Sequence, residues 1–252
     1  MPPTRQARIR PAVFTYSAGE IEPEHTHDQH QLVYASSGLL CVDTQSSRWV
    51  VPPLRALWVP ADTPHMITAR SDSEMSTLYL DRTIAVDRGD AVTVVSVSPL
   101  LRELIIHIHR NPPSGASLSR LEGVIVDQLA TAPVAPLDLP RLHDPRTRAI
   151  AEALERHPQD RRTLSEFGRD VGAHERTLQR LFAAETGTTF GNWRTQLRLQ
   201  HGMIALGEGR SVTTAAIMSG YKEPSAFIAA FRSAFGTTPG RYFATTDTDL
   251  TS

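Results

Sequence analysis

The sequence predicts a two-domain chain: an N-terminal all-β barrel followed by two helices, then a C-terminal all-α domain carrying helix-turn-helix units in tandem. Three observations predict it. Short β-rich runs broken by Gly, Pro, Ser and Asp fill residues 12–97, and many short strands at such spacing indicate a sandwich or barrel. Residues 131–140 hold three prolines, which stiffen the chain and interrupt any helix. Beyond them apolar residues recur at helical spacing, and 252 residues with 40% apolar content can fill two cores.

The β-rich runs fall at 13–16, 31–35, 39–44, 48–52, 56–59, 65–69, 75–81 and 92–97, with residues 1–10 expected as a mobile arm or edge segment. Within them stand Gly19, His25, His27, Gln31 and Gly38, followed by Pro60 to His65. On one strand His25 and His27 point the same way, and His65 on a neighbouring strand completes a cluster inside the barrel. This set resembles the two cupin motifs, which implies a small double-sheet barrel over 1–97 with a ligand site at His25, His27, Gln31 and His65. It departs from the pattern at Gln31, where Glu is usual, and at Asp62, where a turn Gly is usual. A neutral amide in place of a carboxylate removes a charged oxygen ligand. Two readings stay open: histidines lining a polar cavity, or a divalent metal held by His25, His27 and His65. His30 is expected on the other face of its strand.

Two amphipathic helices are expected over 98–110 and 117–130. Leu100, Leu101, Leu104, Ile105 and Ile108 stripe the first, and Leu118, Leu121, Ile125 and Leu129 the second. The stripes are broad enough for a second partner besides the barrel. His107 and His109 are expected at the rim. The Pro-rich linker is placed at 131–142 and the helical domain at 143–243. There Asp144 caps a helix from Pro145 to Glu155, and a disordered tail occupies 244–252.

Thr163 and Glu166 have the spacing of a capping box, so a helix starts there and buries Leu164, Phe167 and Val171. Gly172 supplies the turn, His174 the polar N-cap, and Leu178, Leu181 and Phe182 the inner face of the next helix. The pattern returns at 211–221 with Gly220 in the turn, and Phe227, Phe231 and Phe235 then recur every four residues. Between the units, 190–206 runs without Pro as a helix of roughly 25 Å, which can hold two recognition helices about one DNA turn apart, near 34 Å.

Over about eighty residues this segment resembles the AraC/XylS transcription regulators. The carrying features are Leu164 to Phe182 with Gly172, Glu185 with Gly187, Gly220-Tyr221, and Phe235-Gly236 with Pro239 and Tyr242. The resemblance implies double-stranded promoter DNA as partner, a small-molecule effector in the barrel, and RNA polymerase contact if the chain activates. It also implies a homodimer formed through the two middle helices. On the first recognition helix the residues spared by the core are Arg176, Thr177, Gln179 and Arg180. On the second only Ser225 offers a hydrogen bond, while Lys222 and Arg232 suit phosphates by type.

From Asp160 to Phe243 eleven Arg or Lys stand against seven Asp or Glu, a surplus of four in a chain whose formal charge is −1, which fits a phosphate-contacting surface. The single Cys41 excludes an internal disulfide and a Cys-based zinc site. No apolar run reaches the length of a membrane span, so a cytoplasmic protein is expected, and the fusion of the barrel to a DNA reader makes a non-enzymatic, DNA-binding regulator the expectation. Two rivals remain: a cupin-type metal-dependent enzyme carrying a DNA-binding domain, and a helical protein-binding adaptor.

Overall fold

The computed structural model describes residues 8–52, 54–84, 86, 90–113, 115–134 and 138–247. The chain divides into two compact units, Met1–Thr44 with Val51–Pro136, and Gln45–Val50 with Leu137–Ser252.

In the first unit, β1 (Ile9–Tyr16), β2 (Ile21–His25), β3 (His30–Ser37) and β4 (Leu40–Thr44) are followed, after β5 (Ser47–Val51), by β6 (Arg55–Val59), β7 (His65–Ala69), β8 (Ser73–Leu80) and β9 (Thr93–Ser96). One antiparallel sheet orders β1-β8-β3-β6-β9, and the other places β4, β7 and β2 side by side. Leu32, Tyr34, Trp58, Leu78 and Val95 bury one face of the first sheet against Leu101, Ile105 and Ile108 of α1 (Pro99–Arg110) and Ile125 and Leu129 of α2 (Gly115–Thr131). The Ser98 hydroxyl caps α1 by accepting from Leu101 N at 3.1 Å.

Two polar side chains fasten this helical cover. His109 sets Nε2 against the carbonyls of Ala12 and Thr77, at 3.0 and 3.2 Å, so it faces the sheet. The Glu122 carboxylate, only 4% exposed, accepts from the backbone N–H groups of Arg8 and Ile9 at 2.9 and 3.1 Å. Of the segment expected as a mobile arm or an edge segment, residues 9 and 10 belong to β1, an edge strand of its sheet, and residues 1–7 lie outside the described residues.

In the second unit β10 (Asp138–Pro140) pairs antiparallel with β5. The stretch expected as a stiff Pro-rich linker thus holds a short strand, and α2 extends one residue into it, to Thr131. Residues 135–137 of that stretch lie outside the described residues. Among the described residues seven helices follow: α3 (Pro145–Arg156), α4 (Leu164–Val171), α5 (Glu175–Thr186), α6 (Phe190–Gly207), α7 (Val212–Met218), α8 (Pro224–Phe235) and α9 (Pro239–Asp247). The capping box forms as its spacing predicts, with Thr163 N donating to Glu166 Oε2 at 2.6 Å and Glu166 N to Thr163 Oγ1 at 3.2 Å. Gly172 closes α4 at φ 66°, where a side chain would be strained. His174 sits at the N-cap of α5 but makes no capping hydrogen bond with its side chain, a correction to the role expected of it. The tail expected to be disordered from 244 is helical to Asp247; residues 248–252 lie outside the described residues.

Leu154, Leu164, Phe167, Leu178, Phe182, Trp193 and Leu197 form the core of the first helix-turn-helix. Phe227, Phe231, Phe235 and Tyr242 are buried in the second, with the Phe231 ring 5.8 Å from Phe227 and 4.3 Å from Phe235. The Glu185 carboxylate accepts from His143 N at 2.9 Å, Asp144 N at 2.7 Å and Thr147 Oγ1 at 2.7 Å, tying the end of α5 to the start of α3. Burial raises this carboxyl, but the hydrogen bonds from Thr147 and the two backbone N–H groups outweigh it and hold the group below its usual value.

Because the folded value lies below the unfolded one, the contribution of Glu185 is complete above about pH 5 and fades as pH falls through the lowered value. Replacing Glu185 by Ala should cost about 1.5–3 kcal/mol at pH 7, by the usual worth of hydrogen bonds to a charged group, and progressively less toward pH 3. Urea unfolding of both proteins across that range checks the size and the trend.

Candidate nucleic-acid interface and imidazole cluster

The imidazole cluster forms where β2, β3 and β7 come together. The sequence places His25 and His27 on one strand; in the structure β2 ends at His25 and His27 follows in the connection to β3. The pairing of β2 with β7 shifts register between Glu22 and His25, which sets His25 opposite His65. The rings still converge, with centroids 4.3 Å apart for His25 and His65, 5.1 Å for His27 and His65, and 6.1 Å for His25 and His27. One nitrogen from each lies within 4.8 Å of the others.

Each ring is oriented by a backbone carbonyl at Nδ1: Pro23 at 2.9 Å for His25, Gln29 at 2.6 Å for His27 and Thr63 at 2.8 Å for His65. A carbonyl accepts only, so the proton sits on Nδ1 and Nε2 carries a lone pair. Nε2 of His27 and of His65 face Gln31 Oε1 at 2.9 and 3.1 Å. Burial pushes His65 down to about 4, so that ring is the neutral form that coordinates metals. Lone pairs aimed at one another are satisfied by a cation among them, or by a Gln31 amide turned over so that its NH2 donates to both rings. Carbonyl-anchored Nδ1 atoms are the usual outer support of metal-binding histidines, so the donor set fits a divalent ion.

Asp62 explains how the turn before His65 works without the glycine usual there. It adopts φ 58°, a region Asp tolerates better than most residues. Its N–H donates to the His27 carbonyl at 2.9 Å, and its carboxylate meets Arg82 at 2.6 Å. His30 faces away from the cluster as expected: it stacks on Trp58 at 4.9 Å and accepts from Ala61 N at 3.1 Å.

Three cluster neighbours escaped the sequence reading. Tyr16 donates to Glu22 Oε2 at 2.5 Å, Glu22 Oε1 lies 3.6 Å from His25 Nε2, and the Tyr79 hydroxyl accepts from Gln31 Nε2 at 3.4 Å. Burial, then the Glu22 contact, raises the Tyr16 hydroxyl well above its ordinary value. The motif covers only residues near its own histidines, so nothing in it pointed to β1 or β8.

On the helical side, Arg176, Gln179 and Arg180 are exposed on α5 at i, i+3 and i+4, opposite buried Leu178 and Phe182, while Thr177 is half-buried. Gln179 Nε2 donates to Glu175 Oε1 at 3.0 Å, which orients the amide along the outer face. Lys222 and Ser225 are exposed together at the N-terminal end of α8. Arg232 is exposed in its last turn, about 10 Å along the axis from Ser225 at 1.5 Å per residue.

A family model described as an AraC-like ligand binding domain matches residues 10–139, and one described as a helix-turn-helix domain matches residues 167–245. The HTH-type transcriptional regulator NimR of Escherichia coli is 32% identical over 225 residues, 88% of this chain and 82% of that protein. The chain belongs to the AraC/XylS family of transcription regulators. The HTH-type transcriptional regulator RipA of Corynebacterium glutamicum is 34% identical over 110 residues, 44% of this chain and 32% of that protein. The transcriptional activator NphR of a Rhodococcus species is 35% identical over 125 residues, 46% and 36% of the two chains. This AraC/XylS-family member is therefore a DNA-binding transcription regulator with an N-terminal ligand-binding domain, and its matched relatives are named transcription regulators. Among the described residues no helix is long and apolar enough to cross a membrane.

Replacing Gln31 by Glu places a carboxylate beside His27 and His65. If the rings hold a metal, the variant should retain more zinc than the parent after dialysis, measured by elemental analysis. Equal and negligible retention by both would assign the cluster to hydrogen bonding alone.

Proposed function

We propose that this regulator takes up its signal at His25, His27, Gln31 and His65, with a divalent cation on the three imidazoles, and reads its operator mainly through α5. The observation that carries the DNA part is the contrast between two outer helix faces. Arg176, Gln179 and Arg180 offer donors and acceptors at adjacent positions on α5, whereas Ser225 is flanked on α8 by Ala226, Ile228 and Ala229. Arg can hold guanine O6 and N7, and Gln can hold adenine N6 and N7, each good pair discriminating by about 1–3 kcal/mol. Thr177, half-buried beside them, suits a phosphate or a thymine methyl. Lys222 and Arg232, at opposite ends of α8, suit phosphates, so α8 serves mainly to position the unit.

The cation, when bound, supplies a Lewis-acid point at which an effector's donor atom can sit; the protein's part is to aim the rings through the Pro23, Gln29 and Thr63 carbonyls. Regulation then follows from the difference in effector affinity between two arrangements of the protein, typically about 1–3 kcal/mol. In this reading the chain acts in the cytoplasm as a homodimer. The supporting surface is the solvent side of α1 and α2, where Leu100 is 51% and Val124 38% exposed although both helices already bury an apolar face. RNA polymerase is a further partner if the regulator activates.

Binding-site selection from random duplexes tests the assignment of helices. Arg180→Ala should lower affinity for the selected operator and relax preference at one or two base pairs, whereas Ser225→Ala should leave preference intact; the opposite result would reverse the roles of α5 and α8. His25→Ala with His27→Ala should abolish metal retention and the signal response of a reporter promoter, while operator affinity of the signal-free protein stays unchanged. Normal induction in that double variant would remove the cluster from the sensing site.

A further inference from the structure

A second cationic feature of the helical unit adjoins the N-terminal end of α8 and includes Lys222. A concavity of about 350 Å3 opens between the loop before α4, the first half of α6 and the turn before α8, and its lining includes Arg161, Arg194, Arg198, Tyr221 and Lys222. Four of these five carry positive charge. The neighbouring acid, Asp160, is engaged by Arg162, whose Nε and Nη2 donate to Oδ2 at 2.9 and 2.6 Å. Burial, then the proximity of Arg198, lowers Arg194 to about 10, and burial with the nearby Arg161 lowers Arg198 as well. Cations gathered against their own repulsion, with the adjacent carboxylate already engaged, are relieved by an anion.

Part of this arrangement is structural. Arg194 donates to the carbonyls of Arg162, at 2.8 Å, and of Asp160, and Arg198 donates to those of Pro158 and Asp160, both at 3.1 Å. These bonds brace the 158–162 loop. They do not use Arg194 Nε or the Tyr221 hydroxyl, both buried and without a hydrogen-bond partner, and they do not involve the exposed side chains of Arg161 and Lys222. Buried donors left unmatched are costly unless a ligand meets them.

The site is rigid and well placed. Gly220, at φ 83°, lies so close to the loop that a Cβ would run into the Pro158 carbonyl oxygen, which fixes the turn against the loop. Residues 220–222 lead directly into the N-terminal end of α8, the end that in a helix-turn-helix enters the major groove. Phosphates flanking that groove pass beside the turn.

We infer that this concavity is a phosphate-binding site that seats one backbone phosphodiester of the bound DNA between Arg161 and Lys222, with the Tyr221 hydroxyl and Arg194 behind it. The inference rests on the chain's binding DNA and adds a sequence-independent anchor at the joint of the two helix-turn-helix units. A free phosphate anion would meet the same donors, and the test separates the two sources.

The full-length protein is titrated with a duplex of arbitrary sequence, about one to two helical turns longer than the two-groove span, at several salt concentrations. In parallel, its thermal midpoint is followed with inorganic phosphate at fixed ionic strength. The Arg161→Ala/Lys222→Ala double variant keeps the loop braces; its slope of log affinity against log salt should be shallower than the parent's by about 0.9, one phosphate's share, at an unchanged thermal midpoint. Tyr221→Phe, which removes no charge, should weaken binding several-fold and keep the parent's slope. Coincident slopes for the parent and the double variant would overturn the site. So would phosphate stabilisation of the parent but not the double variant combined with coincident slopes, which would give the concavity to a free anion. Absence of salt-dependent binding by the parent would instead sink the DNA reading on which the inference rests.

Discussion

The burial of α6 on two sides is the constraint on which the helical unit depends. Its first half gives Trp193 and Leu197 to the core of the first helix-turn-helix. Its second half buries Met203 and lays Gly202 against the Phe227 ring so closely that a Cβ would strike it. A helix apolar on one stripe would serve one partner; this one is buried at Leu199, Gln200, Ala205 and Leu206 as well, as expected of a helix enclosed by its own domain. The two hairpins are thereby parts of one packed body.

That construction is what the proposed concentration of specificity on one hairpin requires. In the proposed reading, base contacts by α5 leave α8 to be placed by α6 and by the contact of Gly220 with the 158–160 loop, so that α8 would need few base-reading side chains of its own. Its outer face of alanine and Ile228 is then compatible with function, because the entropy of bringing a second helix to the groove has been met in folding the protein. In that reading the exposed Lys222 and Arg232 would keep it against the backbone.

The sequence made the helical unit legible because its signals are local and redundant. Thr163 and Glu166 start α4, Gly172 ends it, and the phenylalanines at 227, 231 and 235 mark one face of α8, each independent of the rest of the fold. The strands it missed share a physical cause. β2 and β10 read Ile-Glu-Pro-Glu-His and Asp-Leu-Pro, and each contains a proline, which is tolerated at sheet edges or strand ends but weakens any strand signal. The missing β2 is also why His27 was put on a strand it does not occupy. The residues around the concavity come from three separated segments with no common spacing, and a side-chain donor buried without a partner is visible only in coordinates. Asp62 was legible as a departure from a pattern, but its left-handed backbone and its hold on the His27 carbonyl were not.

The contact between Gly220 and Pro158 also bears on how much operators can vary. Inserting one base pair between the two groove segments moves them about 3.4 Å apart and turns one against the other by about a tenth of a helical turn. A protein with a hinged joint would follow that change; one whose joint admits no Cβ must leave it to the duplex, which absorbs it by bending or untwisting at a cost set by its own sequence. In the proposed two-groove reading, base composition in the spacer between the two segments would therefore enter recognition through the stiffness of the duplex rather than through a side-chain contact.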